Sequence, residues 1–424
     1  MPKLLFAKEK GEWLDFFGLD MLGRLGDELV IPEDNELIPL PEGATLTMVP
    51  GRVPIGVDML NEKGRICSLT YDPYKLKNKE DKEKVWAVAA LLPQGYTRTL
   101  LPAITDMGEP LPLLGYTAVG IMEDGQLVAA AVQTDEHKHW HPKYYNTADL
   151  NEHIAKVQEE FPNNSIIKQL ALCSLEYGCF TAQNMFYRRW EAGLPVSPQC
   201  NAACVGCISL QEAECCPSPQ RRITSAPKVE EVAEIAIAHL QQAEDAIVSF
   251  GQGCEGEPSL QADLIARVIR EIRAKTARGT ININTNAGYY IGMAKIMAAG
   301  IDSLRVSMIS AVPENYAKYH RPCNYSFADV EKSLELAQKL GIKVALNLLF
   351  YPGFNDRVTE TEALVELVKK YGVKQIQIRN LNIDPTLMTQ LYGSGESLGV
   401  IAFLQTLKAN LPNTEIGSYS KTVK

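Results

Sequence analysis

The sequence has 424 residues, of which 46% are hydrophobic and 22% charged, a composition typical of folded domains and not of disordered or fibrous chains. Its formal net charge of −9 excludes a generally basic surface for nucleic acid or anionic lipid. The longest apolar runs, such as residues 85–92, are too short to cross a bilayer, and charges among the first ten residues argue against a secretory signal. These features predict a cytoplasmic protein without a membrane segment.

The first 165 residues have the pattern of a β-rich domain. Apolar runs bounded by Pro, Gly and Asp predict strands at residues 44–59, 65–70, 85–92, 117–122 and 126–133. Residues 150–190 have a helical pattern that is interrupted at residues 161–164. We therefore expect a separate N-terminal domain over residues 1–165, to which no role is assigned, and a helical linker over residues 166–192.

From about residue 222 onward, short β-branched runs alternate with segments of helical period. The predicted strands are residues 195–199, 246–250, 280–284, 303–308, 343–351 and 374–379. The predicted helices are residues 228–242, 260–278, 289–299, 327–340, 360–371 and 396–409. Parallel strands joined by helices make either an open sheet or a barrel, and in both the active site lies at the carboxyl ends of the strands. The loops after these strands are therefore where functional residues are expected.

Eight of the ten cysteines lie between residues 173 and 254, which in a reducing compartment favours metal binding or redox chemistry over disulfides. Cys200, Cys204 and Cys207 have a C-x3-C-x2-C spacing just after the first predicted strand. Three thiolates this close on a loop can converge on one soft metal centre. Since a [4Fe–4S] cube takes four ligands, three thiolates would leave one iron open to a reactant.

This spacing resembles the signature of the radical S-adenosylmethionine superfamily, and four further strand-end segments are similar to motifs of that family in the expected order. The segments are Gly253-Cys254-Glu255-Gly256-Glu257-Pro258, Asn284-Thr285-Asn286-Ala287-Gly288, Leu304-Arg305-Val306-Ser307-Met308 and Tyr351-Pro352-Gly353-Phe354-Asn355-Asp356. The likeness covers about residues 195–382.

The resemblance implies an α/β fold in which a partial (β/α)6 TIM-like barrel over residues 193–424 follows the smaller β-rich domain. It implies a [4Fe–4S] cluster on Cys200, Cys204 and Cys207, and S-adenosylmethionine as the second cofactor. The residues implied to hold S-adenosylmethionine are Gly256, Glu257, Pro258, Asn284, Asn286 and Ser307. In the family reaction, an electron from the reduced cluster cleaves a C–S bond and yields a 5′-deoxyadenosyl radical, which abstracts a hydrogen from the substrate. A reductant such as ferredoxin or flavodoxin is implied as the electron source.

One position departs from the family pattern. The family commonly has an aromatic residue just before the third cysteine, where it packs on adenine, and this chain has Gly206 there. We therefore expect the adenine to pack elsewhere, against Ile208 or Leu348.

Two other classes of protein remain as alternatives to a radical enzyme. The first is an iron–sulfur electron carrier without catalysis. The second is a zinc-stabilised binding module that adds Cys215 or Cys216 to the three spaced cysteines. Neither alternative explains the other strand-end motifs. Cys215 and Cys216 are interpreted as plain loop residues, because free cysteine is often a small buried apolar group, with auxiliary ligands or redox thiols as the alternatives.

Cys254 and Cys323 follow strands and are the candidate catalytic thiols, because either could donate a hydrogen atom or a thiolate to an intermediate. An inert role is the alternative for both. Cys173 and Cys179 lie in the helical segment and are interpreted as structural.

His137, His139 and His141 alternate, so that an extended strand would present all three to one metal ion, although an exposed loop suits the sequence equally well. His320, Arg321 and Arg305 lie where a fixed cation could hold a substrate carboxylate or phosphate, with a structural ion pair as the alternative.

No cysteine follows Cys323, so a C-terminal domain with an auxiliary cluster is not supported. The expected substrate is a small molecule or a peptide, which the sequence does not identify. The acidic charge balance and the lack of a recognisable RNA-binding module disfavour a nucleic-acid substrate.

Overall fold

The computed structural model describes residues 1–60, 64–75, 82–105, 109–136, 139–210 and 218–423. These residues divide into two compact units. Unit 1 contains residues 1–136, 350–362 and 379–410, and unit 2 contains residues 137–349, 363–378 and 411–424. The predicted domain boundaries at residues 165 and 192 stay a prediction, because compactness does not show which segments fold independently.

Unit 1 contains the N-terminal β-strands. They are β1 (Lys3–Lys8), β2 (Trp13–Met21), β3 (Gly23–Leu25), β4 (Glu28–Val30), β5 (Leu37–Pro39), β6 (Thr45–Met48), β7 (Ile55–Asp58), β8 (Arg65–Ser68), β9 (Val85–Leu91), β10 (Tyr96–Arg98), β11 (Leu101–Pro102), β12 (Tyr116–Thr117), β13 (Val119–Ile121) and β14 (Leu127–Gln133). Within the described residues they form one sheet of eleven strands and one of three strands, β11-β3-β4. The predicted β-rich N-terminal region is confirmed.

The strand β1 shows why the first part of this region was missed from the sequence. It pairs antiparallel with β13, β2 and β9, and five of its six residues are buried. A strand covered on both faces has a continuous apolar run and no alternation. The run predicted at residues 44–59 is two strands, because a turn at Gly51 (φ +69°) separates β6 from β7.

The remaining elements include a parallel sheet with helices between its strands. The helices are α1 (Leu150–Glu160), α2 (Ser165–Glu176), α3 (Phe180–Tyr187), α4 (Val229–Gln242), α5 (Ala262–Lys275), α6 (Tyr290–Ala298), α7 (Pro313–His320), α8 (Phe327–Lys339), α9 (Val358–Tyr371), α10 (Pro385–Tyr392) and α11 (Val400–Asn410). The strands are β15 (Arg189–Gly193), β16 (Glu244–Phe250), β17 (Thr280–Thr285), β18 (Ser303–Met308), β19 (Lys343–Phe350), β20 (Gln375–Asn380) and β21 (Glu415–Gly417). Short 3-10 turns lie at Asp34–Glu36, Pro142–Tyr144 and Pro258–Gln261.

The seven strands from β15 to β21 lie side by side in chain order. The pairs from β15 to β19 run parallel, as do β20 and β21. This order is what successive right-handed βα crossovers produce, and the predicted α/β fold with a TIM-like partial barrel is confirmed. In the described part of the chain, no helix combines the length and the apolarity needed to cross a bilayer. The cytoplasmic location stays a prediction.

The first strand of this sheet is not where the sequence placed it. It was predicted at residues 195–199, but β15 ends at Gly193. The backbone N–H groups of Val196 and Ser197 instead donate to the Glu255 carboxylate, both at 2.8 Å. Both residues are buried, which explains the strand-like apolar pattern. Because their N–H groups are already bonded to Glu255, they cannot extend the strand.

Candidate active site

Two of the predicted motif loops are joined directly by backbone hydrogen bonds. The N–H of Gly256 donates to the Ser197 carbonyl at 2.7 Å, and the N–H of Glu257 donates to the Gln199 carbonyl at 2.8 Å. The turn after β16 is thereby fixed to the residues that lead into Cys200. A Cβ on Gly256 would lie 2.0 Å from the Gln199 carbonyl oxygen, so this approach requires glycine.

The Glu257 carboxylate connects this turn to the loop after β17. One oxygen accepts from the Thr285 hydroxyl at 2.5 Å and from the Ser259 N–H at 3.0 Å, and the other accepts from the Asn286 N–H at 2.8 Å. Burial raises the pKa of Glu257. The Asn286 side chain then donates to the Asn201 side-chain oxygen at 2.7 Å. The cysteine loop and the loops after β16 and β17 are therefore one hydrogen-bonded network.

Glu255 organises the same turn and was not among the predicted site residues. Its second oxygen accepts from the Gly251 and Gln252 N–H groups, both at 2.7 Å, in addition to the two bonds from the segment after β15. Burial raises its pKa to about 7, against the opposing effect of these four backbone donors. An acidic residue within a glycine-rich turn was the only sequence signal.

Cys200, Cys204 and Cys207 lie on the loop after β15, outside any helix or strand, and their side chains are half-buried. The loop is held by backbone bonds from Ala203 to the His320 carbonyl (3.2 Å) and from Val205 to the Tyr319 carbonyl (3.0 Å). We call these three residues the loop cysteines. The end of α7 thus fixes the backbone from which the three thiol side chains extend.

The thiols of the loop cysteines influence one another. Burial raises the pKa of Cys200, with the Glu257 carboxylate adding to the effect. Burial also raises the pKa of Cys204, and the neighbouring Cys200 and Cys207 thiols contribute. Three thiolates in this environment would repel one another unless a positively charged centre bound them.

The three thiols match in number and type three of the four ligands of a [4Fe–4S] cluster. Within the residues that the structure describes, no three His, Cys, Asp or Glu side chains are grouped as ligands of one metal ion. Cys215 and Cys216 lie outside the described residues, and so does the part of the zinc alternative that depends on them.

His320 lies against the loop cysteines and is not the cation that the sequence suggested. Its Nδ1 is 3.3 Å from the Cys204 sulfur. Burial lowers the pKa of His320 to about 3, so the imidazole is neutral at physiological pH and cannot hold a substrate anion by charge.

Arg305 is also unsuited to that role. It lies in β18 and forms a buried ion pair with Glu191 of β15, with 2.6 Å between nitrogen and oxygen. The alternative of a structural ion pair is therefore the one that the structure supports.

The other predicted cofactor residues of the sheet lie nearby. The Asn284 side chain donates to the carbonyls of Phe250 and Gly251, at 3.2 and 3.0 Å, which joins β17 to the end of β16. Ser307 is half-buried in β18 and is the register partner of Asn347 in β19. Asn347 was missed, and its buried side-chain oxygen has no hydrogen-bond partner in the described structure. Leu348 follows Asn347 in an extended strand, so it faces the opposite side of the sheet.

The two candidate catalytic thiols have different surroundings. Cys254 is 4% exposed, and its thiol is hydrogen-bonded to Cys173, which together with burial raises its pKa. Cys323 is exposed, and its N–H donates to the Asn201 carbonyl at 2.8 Å, next to Cys200. The catalytic roles of both stay predictions, and Cys323 is the one that solvent reaches.

The predicted histidine group does not form an extended strand where it is described. His139 stacks on Trp190 with 4.5 Å between ring centroids, while the His141 Nδ1 accepts from the Lys143 N–H at 3.1 Å. His141 precedes a 3-10 turn, so the alternating geometry is absent. His137 lies outside the described residues.

The fifth motif, residues 351–356, belongs to unit 1. It forms a closed turn, because the Asn355 side chain accepts from the Tyr351 N–H (2.7 Å) and the Asp356 side chain accepts from the Gly353 N–H (2.6 Å). The Gly26 N–H donates to the Pro352 carbonyl at 3.1 Å. Within unit 1, this turn is thus attached to the N-terminal β region.

A comparison with protein families covers the same region of the chain. Residues 194–368 match the family model described as the Radical SAM superfamily. This segment includes the loop cysteines and all the motifs found at the strand ends. These residues form a radical SAM domain.

Two curated relatives are both named probable GTP 3′,8-cyclase. The protein of Methanosarcina acetivorans is 29% identical over 215 residues, which cover 49% of this chain and 60% of the relative. The protein of Pyrobaculum aerophilum is 30% identical over 152 residues, which cover 35% of this chain and 48% of the relative. The matches thus span only about half to three fifths of each relative.

Among solved structures, the maturase HydG of the [FeFe]-hydrogenase is 17% identical, with a TM-score of 0.39, and the match covers 65% of this chain and 63% of that one. A TM-score this low carries no argument about the present chain.

Proposed function

We propose that the protein binds a [4Fe–4S] cluster through Cys200, Cys204 and Cys207 and uses it to cleave S-adenosylmethionine reductively. The hydrogen-bonded network that joins Asn201, Asn286 and Glu257 carries this proposal, because it holds the cysteine loop against the two turns that resemble the cofactor-binding motifs. A structural zinc site or an electron carrier has no need for this connection.

The residues present fit both cofactors. Three half-buried thiols on a fixed loop supply three of the four ligands of a cube and leave one iron for a small molecule. Glycine at position 256 lets the turn after β16 pack directly against the Gln199 carbonyl, which holds this turn beside the cysteine loop. When bound, the cluster and S-adenosylmethionine supply an electron, a C–S cleavage and a 5′-deoxyadenosyl radical for hydrogen abstraction.

The protein's own residues have the task of orienting and shielding. In this proposal the Gly256, Glu257 and Pro258 turn holds the amino group of S-adenosylmethionine, while Asn284, Asn286 and Ser307 supply hydrogen bonds toward its ribose and carboxylate. Glu257 acts mainly through structure, because its carboxylate already accepts three hydrogen bonds. Its N–H also donates to the Gln199 carbonyl, so Glu257 contributes to the site by fixing the turn beside the cysteine loop.

The proposal includes two partners. A reductant such as ferredoxin or flavodoxin would reduce the cluster, and a small molecule or a peptide would donate the hydrogen. GTP is the first substrate to test, since both relatives described above are named for a reaction of GTP.

The experiment is to measure 5′-deoxyadenosine in anaerobically reconstituted, dithionite-reduced protein supplied with S-adenosylmethionine, with and without GTP. We expect production by the wild type and its loss when Cys200, Cys204 and Cys207 are all changed to Ala. Cys67→Ala is the matched control, because Cys67 lies in β8 of unit 1, away from the cysteine loop in sequence. It should retain wild-type production.

Each outcome has a definite meaning. A fully loaded cluster that never yields 5′-deoxyadenosine, even with GTP present, would contradict the proposal and favour an electron carrier. Equal production by the triple variant would contradict the assignment of the ligands. A GTP-dependent rise in production would support a nucleotide substrate.

A further inference from the structure

We propose that His320 is a positioning residue for the cluster: its Nδ1–H donates a hydrogen bond to the Cys204 sulfur and raises the reduction potential of the cluster. This inference rests on the proposed function, because it requires that Cys204 bind iron. It assigns to His320 a role different from that of the substrate-binding cation considered from the sequence.

The tautomer follows from the two contacts of the ring. Nε2 lies 3.2 Å from the backbone nitrogen of Ile309, whose N–H donates to it. A nitrogen that accepts this bond carries no proton, so the ring proton is on Nδ1. Nδ1 lies 3.3 Å from the Cys204 sulfur, within the range for a hydrogen bond to sulfur. The sulfur is therefore the acceptor, as a metal-bound thiolate requires.

The ring cannot easily turn away from this position. His320 is 2% exposed and stacks on Tyr316, with 4.3 Å between centroids and 27° between planes, while Tyr319 contacts it edge-on. The carbonyl of His320 also accepts from the Ala203 N–H, one residue before Cys204. Backbone and side chain of one residue thus hold both the loop and its central sulfur.

The expected electronic effect has a definite sign. Reduction adds negative charge to the cluster and its thiolates, and a hydrogen bond to a ligating sulfur stabilises that charge. Removing the donor should therefore shift the reduction potential to a more negative value. A residue that only packs against the loop would change the yield of cluster but not this potential.

The test is a redox titration of reconstituted wild-type, His320→Phe and His320→Asn proteins, followed by the EPR signal of the reduced cluster at equal iron content. Phe preserves an aromatic ring in the stack but has no donor, whereas the Asn side-chain nitrogen is as far from the backbone as Nδ1. We expect a more negative potential for His320→Phe and a return toward the wild-type value for His320→Asn.

His239→Phe is the matched control. His239 is also fully buried and neutral, with a pKa lowered to about 4 by burial, but its Nε2 contacts the Trp190 carbonyl instead of a sulfur. Its substitution should leave the potential unchanged. An unchanged potential in fully loaded His320→Phe would overturn the inference, and so would an equal shift in His239→Phe.

A second measurement does not depend on how well the variants fold. Wild-type protein labelled with ¹⁵N-histidine should show a histidine nitrogen coupled to the reduced cluster in pulsed EPR. A wild-type cluster without this coupling would overturn the inference about His320 but not the proposed function. Wild-type protein that assembles no cluster would overturn the proposed function and the inference with it.

Discussion

The loop cysteines and a second group of three cysteines lie in the same compact unit but differ in their surroundings. The second group, here called the packed cysteines, consists of Cys173 in α2, Cys179 just before α3 and Cys254 after β16. Cys173 and Cys254 are 2% and 4% exposed and share a thiol–thiol hydrogen bond. The Cys179 N–H donates to the Cys173 carbonyl at 3.0 Å. The Cys173 and Cys254 thiols are buried and hydrogen-bonded to each other, whereas Cys179, like the loop cysteines, is half-buried.

The difference shows that thiols that contact one another in the folded protein do not by that alone form a metal site. Cys173 and Cys179 lie on or next to helices, whereas Cys254 lies in the turn after β16. The side chains of Cys173 and Cys254 serve as small apolar groups of the core. The loop cysteines have no helix or strand to separate their directions, and the backbone of the loop is fixed by bonds to residues 319–321. The fixed loop with three half-buried thiols is the arrangement that supports Cys200, Cys204 and Cys207 as the proposed cluster ligands.

The largest expected effect comes from exchanging one cysteine in each group for serine. Cys204→Ser should lose most of its bound iron after reconstitution, because a hydroxyl is a poor ligand for iron in a sulfide cluster. Cys254→Ser should keep its iron but lose about 1–3 kcal/mol of unfolding free energy, because it places a hydroxyl in the packed group. Iron analysis and urea unfolding measure the two effects. Equal iron loss in both variants would erase the distinction between the groups.

A smaller effect is expected from Gly256→Ala. The added Cβ would lie 2.0 Å from the Gln199 carbonyl oxygen, so the turn must separate from the segment before Cys200. We expect a loss of about 3 kcal/mol in unfolding free energy and weaker binding of S-adenosylmethionine. Gly300→Ala is the control: its φ of +98° also disfavours Ala, but no atom lies within 4 Å of the added Cβ. It should cost only about 1–2 kcal/mol. Similar losses in both would argue against the close approach.

Glu255 should produce a pH dependence in stability. Its pKa is raised from 4.5 to about 7 in the folded protein, so the folded state holds this proton more tightly than the unfolded state. The contribution of Glu255 to the unfolding free energy should therefore fall as the pH rises from about 4.5 to 7 and stay constant above that. Urea titrations at several pH values in this window give the unfolding free energy of wild type and Glu255→Gln. The contribution of Glu255 is the difference between the two slopes of unfolding free energy against pH. Identical slopes would show that Glu255 titrates normally.

The smallest effect is a difference in thiol labelling. Iodoacetamide should modify Cys200 and Cys207 in cluster-free protein and much less after reconstitution, because iron blocks the thiolates. Cys173 and Cys254 should be labelled weakly in both states, and exposed Cys323 strongly in both. Mass spectrometry of the peptides gives all five values. Loss of Cys173 labelling on reconstitution would place the cluster at the packed cysteines and contradict the assignment to the loop cysteines.

Much of the parallel sheet could be predicted from the sequence. The strand predicted at residues 303–308 has the observed bounds of β18, and those predicted to begin at residues 246, 280, 343 and 374 agree with β16, β17, β19 and β20 within two residues at each end. Buried parallel strands are short apolar runs with turn residues at their ends, which is a strong signal. The interruption of the helical segment at residues 161–164 was also predicted, and α1 ends at Glu160 while α2 begins at Ser165.

Long-range hydrogen bonds explain what the sequence did not show. The segment after β15 has a strand-like composition, but its N–H groups are taken by Glu255, which lies 58 and 59 residues further along the chain. The pairing of His320 with Cys204 spans 116 residues. Neither contact has a local pattern, so a periodicity argument could not find it. The roles of the motif residues in binding S-adenosylmethionine stay predictions that the assays above test.

The most direct test of the central claim is iron and acid-labile sulfide analysis of anaerobically reconstituted protein, combined with EPR of the reduced state before and after addition of S-adenosylmethionine. We predict about four iron and four sulfide per chain. We also predict an EPR signal that changes when S-adenosylmethionine binds, and loss of both results in Cys204→Ser. A single zinc ion per chain, or a cluster whose EPR signal ignores S-adenosylmethionine, would contradict the account.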